Sequence, residues 1–328
     1  MGSAVHDELV TPVSAQRAVR APADVSDDAH DMWDVWSQTL ASPELQTIDR
    51  ALARAAIHID ECVHESARIA EAPATRRRLE EIREVVARLT GPLPDGSFER
   101  FVLGHTALHY RQALESAPVS PAVRRLARTG LLRVADGRTR LNLSEDLFVA
   151  FSKIATLRRF AAGQFDWERS GLPRSWLAHV RPFGELARLM SIVAFQWRAF
   201  RPGFFIHVGV TYPIRALLER EALKSYYRMA QSMALQPDVK GLIASSWLHS
   251  PDTFAVTPHL AWLNRVFAEH GAVVATMGPA PPNCGVLARS AERQRAFNEG
   301  RFKPTLGLIV WTRRDMLAWA ERHPELAS

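Results

Sequence analysis

Apolar side chains recur at three- and four-residue spacing through the first 200 residues, and after that point short apolar runs alternate with such stretches. The first period is that of a helix with one buried face, and the short runs are of strand length. Residues 1–28 lack either period and read as a flexible tail. Ser42-Pro43-Glu44 supplies an N-cap and a proline for the first turn, so a helix is predicted from 42 to about 70, where Ala72-Pro73 breaks it. Further helices are predicted over 74–89 and 97–115. Ser120-Pro121 starts another that ends at Thr129 with Gly130 as its cap. Two β-type runs flank Asp136-Gly137 within 131–143 and predict a hairpin. Helices are expected again over 144–160 and 185–200. Strands are expected over 204–211, 239–247, 272–276 and 306–311, with helices over 214–233, 257–269, 290–299 and 314–322. Strands alternating with helices of this length indicate an α/β sheet domain. The expected fold class is therefore α/β (α+β overall): an all-helical N-terminal domain over 29–200, then an alternating α/β domain over 201–328.

Composition narrows this picture. The chain is 47% hydrophobic and 23% charged, which suits a folded core and argues against wholesale disorder. Its two cysteines, Cys62 and Cys284, are too few for a disulfide framework, and a reducing compartment fits best. The N-terminus carries no basic-then-apolar leader pattern. The most apolar helix, at 186–200, is interrupted by Arg188, Gln196 and Arg198 and is too short to span a bilayer. A cytoplasmic location without membrane contact is the expectation.

The net charge of +6 is unevenly placed. Residues 1–40 hold seven acids and two bases, whereas 120–190 hold thirteen bases and six acids. A local basic field attracts phosphate-bearing partners such as tRNA or a nucleotide, although a solvated arginine-rich surface gives the same count. Helix followed by hairpin is similar to a winged-helix wing, and Arg128, Arg133, Arg138 and Arg140 lie there. A non-enzymatic nucleic-acid binder is thus one alternative reading.

Glu61 and His64 have the ExxH spacing of a non-haem metal site, and His105 and His109 are also one turn apart. The apolar stripe of the first helix leaves Glu61 and His64 facing solvent. The stripe of the other places His105 and His109 inward, so the two halves do not converge. A helical metal oxygenase remains as a further alternative, and no metal ligand is assigned. In the later half, strand ends are the expected ligand sites. His207, Tyr212, Ser245, Ser246, Trp247 and His249 lie in or at the ends of the first two strands. Arg301, Lys303 and Thr305 precede the fourth. No Gly-x-Ser-x-Gly elbow surrounds Ser246, and no glycine-rich phosphate loop is present.

The run His207-Val208-Gly209, a helix ending in Tyr226-Tyr227, and then Ser246-Trp247-Leu248 with Pro251 resemble the GNAT-like C-terminal domain of certain bacterial acyltransferase-like proteins. The resemblance covers about residues 205–267, and in that family the domain follows an all-helical one. It implies a GNAT-like fold and acyl transfer to a small amine or hydroxyl acceptor. The implied donor is an acyl-CoA or, given the basic 120–190 region, an aminoacyl-tRNA, with no tightly bound cofactor. His207 or His249 would remove the acceptor's proton, and Ser246 and Tyr212 would orient groups or protonate the leaving group. Ser245, Trp247 and Thr305 would contact substrate, and Arg301 and Lys303 would hold phosphates.

Overall fold

Two serine–proline pairs open helices where the spacing places them. Ser42 Oγ accepts from the Leu45 amide at 3.5 Å and Ser120 Oγ from the Val123 amide at 3.4 Å. The proline after each serine sits where its missing N–H costs no helical hydrogen bond. The computed structural model describes residues 32–327 apart from 69–72, 144–145, 198–200, 210–216, 282–285 and 288–289. It divides into two compact units, one running to Asp166 together with Val208 and Gly209, the other made of 167–207 and the chain from 216 on.

Up to residue 155 the first unit is helical. Its helices are α1 (Met32–Leu40), α2 (Pro43–Arg54), α3 (Ile59–Arg68), α4 (Pro73–Thr90), α5 (Ser97–His109), α6 (Arg111–Ser116), α7 (Pro121–Ala135) and α8 (Asp146–Ala155). Trp33, Trp36, Ile48, Leu52, Phe98, Phe101, Phe148 and Phe151 pack into one core. Each such side chain removed from water contributes roughly 1.5–3 kcal/mol.

Three expectations are corrected in this unit. The helix predicted over 42–70 is two helices. Ala56 takes φ 55° and the Ile57 amide reaches back to Leu52 O at 3.0 Å, a six-to-one closure that ends α2. The helix over 97–115 likewise breaks, at Tyr110. The hairpin over 131–143 does not form. Val123, Ala127, Gly130, Leu131 and Val134 are buried at helical spacing, so burial carries α7 through the glycine expected to cap it. Asp136-Gly137 is instead the turn that ends α7, with Gly137 at φ 69°, and no strand follows among the described residues up to 143.

The remaining elements are β1 (Arg159–Ala161), β2 (Phe165–Ser170), α9 (Phe183–Ser191), β3 (Gly203–Val208), α10 (Glu219–Ala234), β4 (Gly241–Ser246), α11 (Pro251–Val256), α12 (Trp262–Glu269), β5 (Val273–Pro279), α13 (Ala291–Asn298), β6 (Thr305–Thr312) and α14 (Arg313–Glu321). The strands form one sheet in the order β1-β2-β3-β4-β6-β5. Strands β3 and β4, joined through α10, are parallel, while β6 inserts between β4 and β5 antiparallel to both. The sheet is thus mixed. It also begins inside the stretch expected to be helical, because β1 and β2 lie before residue 200. Asp166, Glu168 and Arg169 interrupt the apolar run of β2, and so short a strand carries little periodic signal.

Strand alternation gives the sheet two different faces. On one, Trp167 stacks on Phe204 with ring centres 3.7 Å apart. Phe267 meets Trp311 edge-on at 5.4 Å and Tyr226 at 5.1 Å, and Trp319 packs on Trp311 at 5.2 Å. On the other, Ile243, Val273, Ala275, Leu308 and Val310 pack against Leu189, Ile192, Val193 and Trp197 of α9 and the turn after it.

Candidate functional site

The parallel pair β3–β4, with the turn after β4, carries most of the sequence-predicted site residues. Its register among the described residues is Phe204↔Leu242 and Phe205↔Ile243, at the start of both strands. Beyond those pairs, both strands run on to their carboxyl ends, the end at which open α/β sheets bind ligands. Continuing the register puts His207 level with Ser245. Alternation puts both on the face of Phe205 and Ile243, the face covered by α9.

His207 is half-buried there. Its Nε2 lies 3.4 Å from Oε1 of Glu168 on β2, with the two side chains 16% and 17% exposed. Phe205 flanks the imidazole at 5.1 Å between ring centres, and Trp176 packs on Phe205 at 5.8 Å. The end of β3 is held firmly. Arg159 donates from Nη2 to Val208 O at 3.1 Å while its Nε sits 3.1 Å from the carboxylate of the fully buried Asp166. The Gly209 amide donates to Gln164 O at 2.8 Å. A carboxylate beside an imidazole, shielded from bulk water, stabilises the imidazolium formed when the ring takes up a proton.

Ser246 and His249 fall elsewhere. Ser246 Oγ accepts from the Leu248 amide at 3.2 Å and caps the short turn Trp247–His249. Alternation turns it to the face opposite His207. His249 is buried beneath Phe267, 5.7 Å away edge-on. Asn264 Nδ2 donates to His249 O at 2.8 Å, which turns Asn264 Oδ1 toward His249 Nδ1 at 3.0 Å. That nitrogen must carry the proton, so the ring is a neutral donor. Burial pushes its pKa down to about 4. This is the geometry of a clamp between the β4 turn and α12, and a poor one for a base. Gly307 is required opposite it: a Cβ there would lie 2.2 Å from His249 O.

Trp247 is buried with the Arg293 guanidinium 4.7 Å above its ring. Thr305 Oγ1 donates to Asp252 Oδ2 at 2.6 Å and is joined by Ser250 Oγ. Arg301 is exposed and paired with Glu299, and Lys303 is exposed. Tyr212 and Cys284 lie outside the described residues. The structure therefore pairs His207 with Glu168, gathers Ser246, Trp247, His249 and Thr305 around the end of β4, and leaves Arg301 and Lys303 at the surface. Glu168 was missed by sequence reasoning. Its signal was the alternation within Phe165-Asp-Trp-Glu168, which places Asp166 and Glu168 on one face.

In the helical unit Glu61 pairs with Arg78, and His64 and His109 are exposed. His105 is half-buried on Phe101, its pKa lowered by burial. His109 was expected inward and is not. Among the described residues no group of three His, Cys, Asp or Glu side chains is placed to hold a metal ion. None of their helices is long and apolar enough to cross a membrane.

The chain matches no known protein family and no curated protein. Two solved structures are similar to it. One is an acyltransferase variant in complex with octanoyl-CoA, at 14% identity and a TM-score of 0.43 over 93% of each chain. The other is an acyltransferase in complex with decanoyl-CoA and teicoplanin, at 14% identity and a TM-score of 0.40 over 93% of each chain.

Proposed function

We propose that this chain is an acyltransferase of GNAT-like type, moving an acyl group from a CoA thioester to a small amine or hydroxyl acceptor. The observation that carries the reading is the imidazole of His207 beside the Glu168 carboxylate, at the carboxyl end of the parallel pair. The acceptor N–H or O–H must lose its proton as the new C–N or C–O bond forms. His207 takes that proton on Nδ1 while Nε2 faces the carboxylate, and the positive ring is stabilised by Glu168. The thioester C–S bond breaks, and the CoA thiolate leaves and is protonated. Tyr212 keeps the role of proton donor to it that its place in the sequence suggests. Ser245, level with His207, orients the acceptor or the thioester carbonyl. Half-buried Phe205, Trp176 and Leu306 on the same side offer apolar surface for the acyl chain.

Acyl-CoA is the preferred donor over aminoacyl-tRNA for a stated reason. The basic hairpin expected over 131–143 does not form. Several arginines of the 120–190 window are engaged locally: Arg128 with Glu115, Arg138 with Asp136, Arg159 with Asp166, Arg169 with Asp238 and Arg188 with Glu185. Such pairing weakens a continuous field for a phosphate backbone.

The test is release of free CoA thiol from short- and medium-chain acyl-CoAs, with a panel of amine and hydroxyl acceptors. Acceptor-dependent thiol release by the wild type, lost in His207→Ala and retained in His249→Gln, supports the proposal. Undiminished turnover in His207→Ala, or thiol release from no acyl-CoA with any acceptor, overturns it.

A further inference from the structure

The connection from α4 to α5 is a tight one. Gly91 at φ 85° ends α4, the Ser97 amide closes a turn on Pro94 O at 3.1 Å, and Gly96 at φ 77° opens α5. The chain after α7 runs close beside this turn, since a Cβ on Gly96 would lie 3.3 Å from Leu141 O. Between α4, the turn and the 140–142 segment lies a cleft of about 450 Å³. Small-molecule sites have this size, roughly 300–1,000 Å³. Glu99, in the first turn of α5, forms part of its wall and is only 3% exposed. One oxygen of that carboxylate is spent. Oε1 accepts from Arg83 Nη1 at 3.3 Å and from the Leu143 amide at 3.2 Å. Oε2 takes no donor among the described residues and keeps access to the cleft. A carboxylate oxygen held away from bulk water without a donor is costly, so a donor is wanted there.

We infer that this cleft binds a small organic amine, its ammonium on Glu99 Oε2 and its hydrocarbon part along the half-buried Ala87 and Leu93. Charge decides the kind of ligand. Besides Glu99, the exposed carboxylates of Glu84 and Asp95 line the cleft, and neither is paired among the described residues. Two guanidiniums face these three acids. Arg83 is committed to Glu99, and Arg140 is exposed without a partner among the described residues. Three carboxylates against two guanidiniums leave the lining at −1, which one ammonium neutralises. The N-terminus of α5 at Gly96 has no side-chain cap and by itself would favour an anion. An anion there would sit against the Glu99 carboxylate, and the pull of a helix end is weaker than a hydrogen bond to a charged group. An ammonium has three donors and no acceptor, which suits a wall whose unspent atoms are carboxylate oxygens. Such binding needs no acyl-CoA and no transfer chemistry.

The test is isothermal titration calorimetry on the full chain at pH 7. Hexylammonium and phenethylammonium are the probes, with 1-hexanol and hexanoate as matched controls. Both amines are cationic at that pH, as a lysine side chain is. They should bind saturably, and more weakly as salt is added. Hexanol and hexanoate should bind at least about tenfold more weakly, the scale set by one hydrogen bond to a charged group. Glu99→Gln keeps the shape, removes the charge and should weaken the amines by a similar factor. Because that change also releases Arg83, a second variant is needed. Ala87→Phe fills the cleft from α4 without touching a carboxylate, and should abolish binding with circular dichroism unchanged. Arg140→Ala removes a repelling charge and should tighten binding. No saturable amine binding means that water alone serves Oε2 and overturns the inference. Hexanol or hexanoate binding as tightly as hexylammonium overturns it too, as does amine binding unchanged in both Glu99→Gln and Ala87→Phe.

Discussion

The helical unit and the sheet unit present their candidate site residues differently. In the helical unit Glu61 and Arg78 pair at the surface and His64 points to water. Cys62 is buried among apolar side chains that push its thiol up to about 12, beyond use as a nucleophile. In the sheet unit one face is closed by aromatic rings, whereas the other carries Glu168, His207 and Ser245 half-shielded beside an apolar floor. The reason is geometric. A helix turns a stripe to the core and leaves most of its circumference for polar groups. A strand has only two faces, and where helices cover both, alternate polar positions are held partly out of water. Partial shielding is what makes a proton acceptor useful.

That contrast can be broken by experiment. The largest effect is expected at His207. Its replacement by Ala should lower turnover by ~10²–10⁴-fold, the range for general-base catalysis, while His105→Ala in the helical unit should leave turnover unchanged. Equal losses in the two variants would erase the distinction. Next, Trp36→Ala removes a fully buried indole whose ring edge packs where Gly104 has no side chain. About 3–5 kcal/mol of stability should be lost in urea titration, with the specific activity of the molecules that remain folded unaltered.

A smaller effect concerns pH. The His249 ring is neutral when folded, with its pKa lowered to about 4 from 6.5. Below 6.5 the unfolded chain binds a proton that the folded chain resists. The stability contributed by the neutral buried ring is therefore full above pH 6.5 and is lost as pH falls toward 4. The total loss is on the order of 3 kcal/mol. Denaturant midpoints measured across that window should fall less steeply in His249→Gln, and a slope identical to wild type would remove this account. Smallest of all, Ser246→Ala should cost about 1 kcal/mol of stability as a lost cap without altering turnover. Ser245→Ala should do the reverse, changing turnover and sparing stability. An effect of Ser246→Ala on turnover alone would place the wrong face of β4 at the site.

Much of the fold was legible in particular residues. Ser42-Pro43 and Ser120-Pro121 announced helix starts because cap chemistry is local. The strands carrying Phe204, Ile243 and Val310 were found because each is a short apolar run bounded by turns. Glu168 and the β1–β2 hairpin were not found, since a charged, three-to-six-residue strand looks like loop until a neighbour pairs with it. The Asp136-Gly137 hairpin failed for the opposite reason. Its turn chemistry was right, but the helix already buried the residues that a strand would have used.

The helical character of the first part and the strand–helix alternation from β3 onward were legible in the sequence alone, through spacing and capping that act over a few residues. That His249 is locked as a neutral donor, and that Glu168 reaches an imidazole some forty residues away, were decided only in the tertiary structure. Those relations depend on strand register and on which face a helix covers. Both are fixed by packing between segments distant in the chain, and no local pattern of residues records them.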